Sequence, residues 1–388
     1  MDFDLNFDLN EELLAIQEAA RAFAEKEVAP TVDDDDRAHR FRRDLVRKMG
    51  ELGFFGSTIP EEYGGTDTGF VSLVVITEEI ARIHSSLRVA VNMQVGPALA
   101  LLDFGSAELK QRYLKKIVDA ELLSCFAITE PDTGSDVASM RTRAVRDGDG
   151  YLLNGSKTWI SNAHVADVGL VYAYTDPEKK HRGMSAFLVD LKQPGVTAKA
   201  IEDKLGANAS PTGELFFDNC KVPKENMVGN EGDGFKICMT DLNYTRLSCG
   251  AGAVGLARAC REASVAYANQ RVQFGQKIGE YQMIQDLIAQ MVVQEEAARL
   301  LCYRAAALKD KGRANTLETS MAKYAAGEAC AFAADCAMKI YGAWGYSKEY
   351  PVERYFRDSR SYQIVEGSAN IQKLIIAQDA LGYRKANR

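Results

Sequence analysis

The rhythm of apolar and polar positions changes twice along the chain. From about residue 10 to 122 it follows a helical period. Asn10 is placed to cap a helix whose first turn carries Glu11 and Glu12, and Leu13, Ile16, Ala20 and Phe23 return to one face. From 123 to 232 the period shortens to that of strands, over residues 141–145, 151–153, 168–175, 184–191, 196–201 and 214–221. Asp147-Gly148-Asp149-Gly150 forms a turn cluster, and Asn154-Gly155 carries the strongest short hairpin signal. Pro131, Pro194, Pro211 and Pro223 punctuate the region. From 233 onward the helical period resumes. Met283/Ile284, Leu287/Ile288 and Met291/Val292 recur every four residues as a wide apolar stripe. Small residues over 251–259 and 325–337 permit close helix packing. The expected division is therefore a helical domain over 1–122, an antiparallel β-domain over 123–232 and a second helical domain over 233–388, an α+β multidomain chain.

Composition narrows the function classes. With 388 residues and about 100–200 residues per domain, two to four domains are expected. The net charge of −7 speaks against nucleic acid, whose phosphates need a basic surface. No apolar run approaches the roughly 20 residues of a membrane span. Met1-Asp2-Phe3-Asp4 is acidic and resembles neither a secretory signal nor a transit peptide, although a processed mature chain would look the same. The eight cysteines, at 125, 220, 238, 249, 260, 302, 330 and 336, show no CxxC or Cys/His ligand spacing. They predict reduced core or surface thiols and no metal site. The run Asp33-Asp34-Asp35-Asp36 predicts a solvated helix end or loop, because it lacks the spaced ligands and glycine of a calcium loop. No Gly-x-Gly-x-x-Gly follows a strand, which argues against a Rossmann nucleotide fold.

Several segments carry chemistry. They are Ile128-Thr129-Glu130-Pro131-Asp132-Thr133-Gly134-Ser135-Asp136, Asn154-Gly155-Ser156-Lys157-Thr158-Trp159-Ile160-Ser161-Asn162, Thr245-Arg246, Arg271-Val272-Gln273-Phe274-Gly275, Glu349-Tyr350-Pro351-Val352-Glu353-Arg354 and Val365-Glu366-Gly367-Ser368-Ala369-Asn370-Ile371-Gln372. In this order and spacing the chain resembles the acyl-CoA dehydrogenase family. The resemblance implies an N-terminal helical domain, a central β-domain, a C-terminal four-helix-bundle domain and a homotetramer. It also implies bound FAD and a reaction in which the α-proton of an acyl-CoA thioester is removed while the β-hydrogen leaves as hydride.

By resemblance Glu366 is the base, and its backbone N–H would bind the thioester carbonyl. Gly367 would let the backbone turn closely there. The plain alternative is a surface glutamate at a helix N-terminus, stabilised by the dipole. Some relatives carry the base immediately before the arginine that Arg246 matches; here that position is Thr245. Phe126, Ile128, Thr129, Gly134 and Ser135 would contact the flavin ring and diphosphate, with Ser135 also reaching substrate. Trp159 would lie against the ring and Ser161 near its N5, although from residues alone Trp159 could equally be a core tryptophan. Arg271, Gln273 and Phe274 would reach the FAD of a neighbouring subunit, where an arginine fork suits paired phosphate oxygens. The alternative for Arg271 is an exposed helix-end residue. Ser368 and Asn370 would complete the adenosine side. Arg246 would lie beside the thioester pocket, or form a structural ion pair.

The segment Ser85-Ser86-Leu87-Arg88-Val89-Ala90-Val91-Asn92-Met93-Gln94 resembles the glutaryl-CoA dehydrogenase branch, in which Arg88 would grip a distal carboxylate. A buried guanidinium needs a counter-charge. A dicarboxylic acyl chain would supply one, and the alternative is pairing with Glu78 or Glu79. Decarboxylating members carry a tyrosine where this chain has Val365 and a glutamate where it has Ala81. That departure suggests a non-decarboxylating enzyme of the anaerobic bacterial type, cytoplasmic, with a mitochondrial matrix location left open. An alicyclic, cyclohexanecarboxyl-type or short-chain acyl-CoA dehydrogenase, an acyl-CoA oxidase and a catalytically silent FAD-binding homologue are the competing readings. The partner implied for a dehydrogenase is an electron-transferring flavoprotein.

Overall fold

The structure, a computed structural model, describes residues 9–387. The acidic opening Met1-Asp2-Phe3-Asp4 lies outside them. Helices α1 (Glu11–Phe23), α2 (Val32–Arg37), α3 (Arg43–Glu51), α4 (Gly69–Ile83), α5 (Ser85–Phe104) and α6 (Ala107–Val118) come first. Eight strands follow: β1 (Ser124–Ala127), β2 (Arg143–Asp147), β3 (Gly150–Ser161), β4 (Val168–Tyr174), β5 (Met184–Asp190), β6 (Val196–Ala200), β7 (Thr212–Pro223) and β8 (Met227–Val228). The rest is helical, with α7 (Gly234–Gln270), α8 (Gln282–Asp310), α9 (Thr316–Tyr341), α10 (Val352–Ser359) and α11 (Ala369–Ala380). A small hairpin of β9 (Val272–Gln273) and β10 (Gln276–Lys277) separates α7 from α8. This is the α–β–α order expected.

The chain divides into two compact units. The first comprises residues up to Asp33, Gly69–Arg88 and everything from Arg246. Its helices bury a core rich in small side chains. Ala251, Ala253 and Ala257 of α7 and Ala326, Ala333, Ala334 and Ala337 of α9 are all buried, so the backbones pack closely. Asn10 caps α1 as expected, its side chain accepting from Leu13 N at 2.8 Å. Glu78 and Glu79 on α4 are buried and fully engaged. Glu78 pairs with Arg258 and Arg299, and Glu79 with Arg21, Arg82 and Arg258.

The second unit comprises Asp34–Thr68 and Val89–Thr245. Its sheet runs β6-β7-β3-β2-β4-β5-β8, with β1 also pairing β4. Most pairs are antiparallel; β1/β4 and β2/β4 are parallel. Alternate residues of β3 and β7, including Tyr151, Leu153, Leu215, Phe217 and Val222, fill the core beneath it.

Three expectations need correction. Asn154-Gly155 makes no hairpin, because β3 continues through it with an irregularity between Leu153 and Gly155, and the turn falls at Gly148-Asp149. Both flanks of the pair bond to β7, which overrides the local signal. Gly155 (φ 145°) is required there because a Cβ would lie 2.6 Å from Thr142 Oγ1 and 2.8 Å from Thr142 Cα. The aspartate run is not simply solvated. Asp35 and Asp36 are buried, and Asp35 pairs with Arg40 and Arg42. The stripe on α8 is narrower than its pattern. Met291 is buried while Met283 and Val292 are exposed, because adjacent residues diverge by about 100° around a helix. All eight cysteines are free and buried, so none is a surface thiol.

Candidate active site

In the first unit the chain between α10 and α11 makes an unusual turn. Glu366 (φ 57°) and Gly367 (φ 82°) are both left-handed. Glycine adopts this conformation freely, whereas for a glutamate it costs about 1–2 kcal/mol. The turn is held from three helices. Arg246 Nε on α7 donates to the Glu366 carbonyl (2.9 Å), and Lys323 Nζ on α9 donates to the Gly367 carbonyl (2.8 Å). Gln372 Nε2 on α11 also donates to the Gly367 carbonyl (2.9 Å). Ser368 then caps α11, accepting from Ile371 N at 3.5 Å, and Asn370 is exposed in its first turn. The Glu366 side chain is half-buried. A dipole-stabilised surface carboxylate would leave this strain and its clamps unexplained.

Arg88, in the first turn of α5, is only 4% exposed. Its guanidinium carbon lies 4.9 Å from the Tyr362 ring centroid, and the Tyr362 hydroxyl hydrogen-bonds Ser85 at 2.8 Å. Arg88 Nε has no hydrogen-bond partner, and Arg88 forms no ion pair among the described residues. The carboxylates of Glu78 and Glu79 are committed to other arginines. The Glu366 carboxylate attracts Arg88 without forming an ion pair, and its neighbours Tyr362 and Cys249 supply no anion. Burial pushes the Tyr362 phenol up to about 12 and raises the Cys249 thiol, so both stay neutral at neutral pH. Gly252 on α7 makes room for the group, since a Cβ there would meet Arg88 Cδ and Nε at 2.8 Å and Tyr362 Oη at 3.1 Å. Arg88, Cys249 and Lys323 all lie within electrostatic range of Glu366. Tyr362 and Lys323 were missed in the sequence. Lys323 sits in a helix of small residues, and no periodic signal marks a buried lysine there.

In the second unit the motif residues gather on β1, β3 and the loop between β1 and β2. Lys157 is fully buried, and its ammonium donates to Glu130 Oε1 (2.8 Å) and the Ile128 carbonyl (3.2 Å). Glu130 also accepts from Thr142 N (3.0 Å), Thr142 Oγ1 and Arg141 N (both 2.5 Å). Thr158 N donates to the Thr129 carbonyl at 2.9 Å. Just beyond, at an irregularity in the β3/β7 pairing, Trp159 is left-handed (φ 57°) and 60% exposed. It is no core tryptophan. Phe126 on β1 packs edge-on against Tyr172, with centroids 5.2 Å apart, and stays partly exposed. Ile128 is buried and Thr129 half-buried, and Ser161 pairs with Thr212 at the end of β3. Thr133 Oγ1 is buried without a hydrogen-bond partner, and nothing lies within 4 Å of where a Cβ on Gly134 would be. Gly134 and Ser135 are exposed. An exposed indole, an orphaned hydroxyl and an open glycine fit a flat aromatic group with a polar rim.

Arg271, Gln273 and Phe274 stand elsewhere, on the exposed β9–β10 hairpin just past the end of α7, with Phe274 96% exposed. There Gln273 Nε2 donates to the Val272 carbonyl (2.6 Å), and the Gln273 carbonyl accepts from the Tyr281 hydroxyl (2.9 Å).

Three family profiles cover the chain: "Acyl-CoA dehydrogenase, N-terminal domain" over residues 10–121, "middle domain" over 125–220 and "C-terminal domain" over 232–381. The chain belongs to the acyl-CoA dehydrogenase family. It is 55% identical over 390 residues to the glutaryl-CoA dehydrogenase of Desulfococcus multivorans, covering 99% of this chain and 100% of that protein. It is similar to the structure of a glutaryl-coenzyme A dehydrogenase glutaryl-CoA complex, with a TM-score of 0.97, 55% identity, and 99% and 98% of the two chains covered. It also resembles a chain from work on the electron transferring flavoprotein of Acidaminococcus fermentans and flavin-based electron bifurcation, with a TM-score of 0.96, 39% identity, and 97% and 100% covered. This acyl-CoA dehydrogenase is therefore an FAD-dependent oxidoreductase. Among the described residues of this dehydrogenase, no helix is long and apolar enough to cross a membrane.

Proposed function

We propose that this dehydrogenase converts glutaryl-CoA to glutaconyl-CoA and stops there, retaining the distal carboxylate. The observation that carries the reading is Arg88, a buried guanidinium with no ion-pair partner among the described residues. Desolvating such a cation costs several kcal/mol, and a substrate carboxylate would offset that cost on binding. In this reading Glu366 accepts the α-proton of the thioester, and its own N–H donates to the carbonyl oxygen as enolate charge develops. FAD, when bound, supplies the acceptor for the hydride that leaves the β-carbon. Phe126, Ile128, Thr129, Gly134, Ser135, Trp159 and Ser161 would hold its ring and diphosphate, Ser135 also bordering substrate. Arg246 and Gly367 would border the thioester.

Retention of the carboxylate rests on two apolar side chains. Ala81 on α4 faces α7 at Gly255, whose Cβ would meet Ala81 Cβ at 3.0 Å. Arg88 faces α7 at Gly252, three residues earlier, about 4.5 Å along the helix. Neither Ala81 nor Val365, the residue preceding the base, can donate or accept a hydrogen bond that would assist loss of carbon dioxide or protonate a dienolate. The resemblance to the Desulfococcus multivorans enzyme supports the same substrate class.

Incubating the purified holoenzyme with glutaryl-CoA and an artificial electron acceptor tests the reading. Glutaconyl-CoA as the main product by mass spectrometry is expected; crotonyl-CoA with released carbon dioxide would overturn it. Faster turnover of an alicyclic or short-chain acyl-CoA would transfer the substrate assignment to that class. The assembly is proposed to be a cytoplasmic homotetramer in which Arg271, Gln273, Phe274, Ser368 and Asn370 complete a neighbouring subunit's FAD site. An electron-transferring flavoprotein is proposed to reoxidise it. Hydrogen peroxide release under air at the rate of turnover would instead mark an oxidase.

A further inference from the structure

Among the described residues near Glu366, Lys323 is one whose presence neither packing nor ion pairing explains. Its side chain is 1% exposed, inside α9, among the small residues that let α7, α8 and α9 approach closely. It forms no ion pair among the described residues, and its one hydrogen bond there runs to the Gly367 carbonyl at 2.8 Å. Burial drives its ammonium below the ordinary lysine range, against the attraction of Cys249 and Glu366. A methionine would fill the same space without the desolvation cost. The ammonium therefore has to be accounted for by what it holds.

It holds the second of two successive carbonyls. Arg246 takes the Glu366 carbonyl from α7, and Lys323 takes the Gly367 carbonyl from α9, each at hydrogen-bond distance. They flank the left-handed Gly367, and the glutamate just before it is left-handed too, a conformation that in a non-glycine residue persists only where its surroundings impose it. Each donor carries a full charge, and charge-assisted bonds are roughly twice as strong as neutral ones. Two cations on adjacent carbonyls, approaching from different helices, leave the two successive peptides after Glu366 little freedom to rotate.

We propose that Lys323 is a positioning residue for the base. Together with Arg246 it fixes the Glu366–Gly367 and Gly367–Ser368 peptides so that the Glu366 carboxylate meets the substrate α-carbon. The inference rests on the reading of Glu366 as base. Lys323 touches no reacting atom, so it acts on the chemical step more than on binding. A misplacement of about 1 Å costs roughly a hundredfold in rate.

Steady-state kinetics of the full-length, FAD-loaded enzyme with glutaryl-CoA and an artificial acceptor would test this. Lys323→Met, Lys323→Arg, Glu366→Gln and wild type are compared, with flavin content and thermal unfolding monitored throughout. Lys323→Met is expected to lower kcat roughly 30- to 100-fold with KM changed less than about threefold. Lys323→Arg, which keeps a charged donor, is expected to retain at least about ten times the kcat of the methionine variant. A methionine variant with kcat within about twofold of wild type, a loss confined to KM, or equal kcat for the two variants would each overturn the proposal. If the methionine variant fails to fold, Lys323→Gln takes its place against Lys323→Arg under the same criteria. Full turnover by Glu366→Gln sinks the base reading itself. An inactive Glu366→Gln beside a fully active Lys323→Met sinks only the clamp.

Discussion

The Arg88 guanidinium lies over the Tyr362 ring, 4.9 Å from its centroid, with Nε left without a partner. An aromatic face attracts a cation, but by about 2 kcal/mol when desolvated, which is less than the cost of removing the cation from water. Tyr362 thus orients Arg88 without neutralising it, and the residual charge is available to an anionic ligand. The group proposed to select substrate should therefore weaken the empty enzyme.

Replacing Arg88 by methionine is expected to move activity and stability in opposite directions. Removing one partner of a buried charge pair costs about 2–5 kcal/mol, so kcat/KM for glutaryl-CoA should fall roughly 30- to 5,000-fold. For butyryl-CoA, which has no distal charge, the change should stay within about threefold. The substrate-free enzyme should gain about 1–4 kcal/mol because a buried uncompensated charge is gone. Parallel kinetics on the two thioesters and urea denaturation without ligand would check both. Equal losses on the two substrates would refute Arg88 as the carboxylate receptor.

Gly252 gives an independent handle on the same pocket. A Cβ there would meet Arg88 Cδ and Nε at 2.8 Å, positions near the middle of the side chain that cannot swing aside cheaply. Gly252→Ala should displace the guanidinium and raise KM for glutaryl-CoA at least about tenfold, with a folding penalty of about 1–3 kcal/mol from overpacking. If KM for glutaryl-CoA is unchanged in a folded variant, the geometry around Arg88 does not govern carboxylate binding.

The Glu130–Lys157 pair governs a different property. Burial works to raise the Glu130 carboxyl, but the charge and hydrogen bond of Lys157, with those from Thr142 and Arg141, outweigh it and hold the group below its ordinary value. A carboxylate with a depressed folded value contributes stability that is complete above its unfolded value of about 4.3, and that stability is lost as pH falls through the folded value. Glu130→Gln should cost about 3–5 kcal/mol at pH 7, because Lys157 is left buried and uncompensated. It should also flatten the decline in urea midpoint between about pH 5 and pH 3. A variant with the wild-type acid slope would show that Glu130 is not the group responsible.

Much of this molecule is legible in its residue pattern, for identifiable reasons. Asn10, the strand runs near 168–175 and 184–191, and the turn at Gly148-Asp149 are set by local chemistry, and each lies within a residue or two of its expected place. Asn154-Gly155 failed because its hairpin preference is local, whereas β7, far later in the chain, bonds to both sides of it. Val272 to Lys277 turned out to be a hairpin that the helical rhythm around it conceals. At the site, Glu366, Gly367 and Arg246 could be placed together from motifs. Lys323 and Tyr362 could not, because their significance lies in contacts to Gly367 and Arg88 that are remote in the chain, the first 44 residues away and the second farther still. A buried polar residue in a helix is recognisable only once its partner is known.

Trp159 offers the sharpest test of the proposed flavin face, because its exposure and its backbone can be separated. An exposed indole in a left-handed conformation has no folding rationale within the second unit. If it lies against the flavin ring, removing it forfeits an aromatic contact of about 0.5–1.5 kcal/mol. Trp159→Ala should then retain FAD roughly two- to twelvefold more weakly, measured as flavin fluorescence released on dilution. Trp159→Gly should lose the same FAD affinity, yet exceed the alanine variant in apoprotein stability by about 1 kcal/mol, since glycine tolerates the positive φ. Unchanged FAD retention in both variants would remove Trp159 from the cofactor site. Equal apoprotein stabilities would show that the β3 irregularity does not impose the left-handed backbone once the indole is gone.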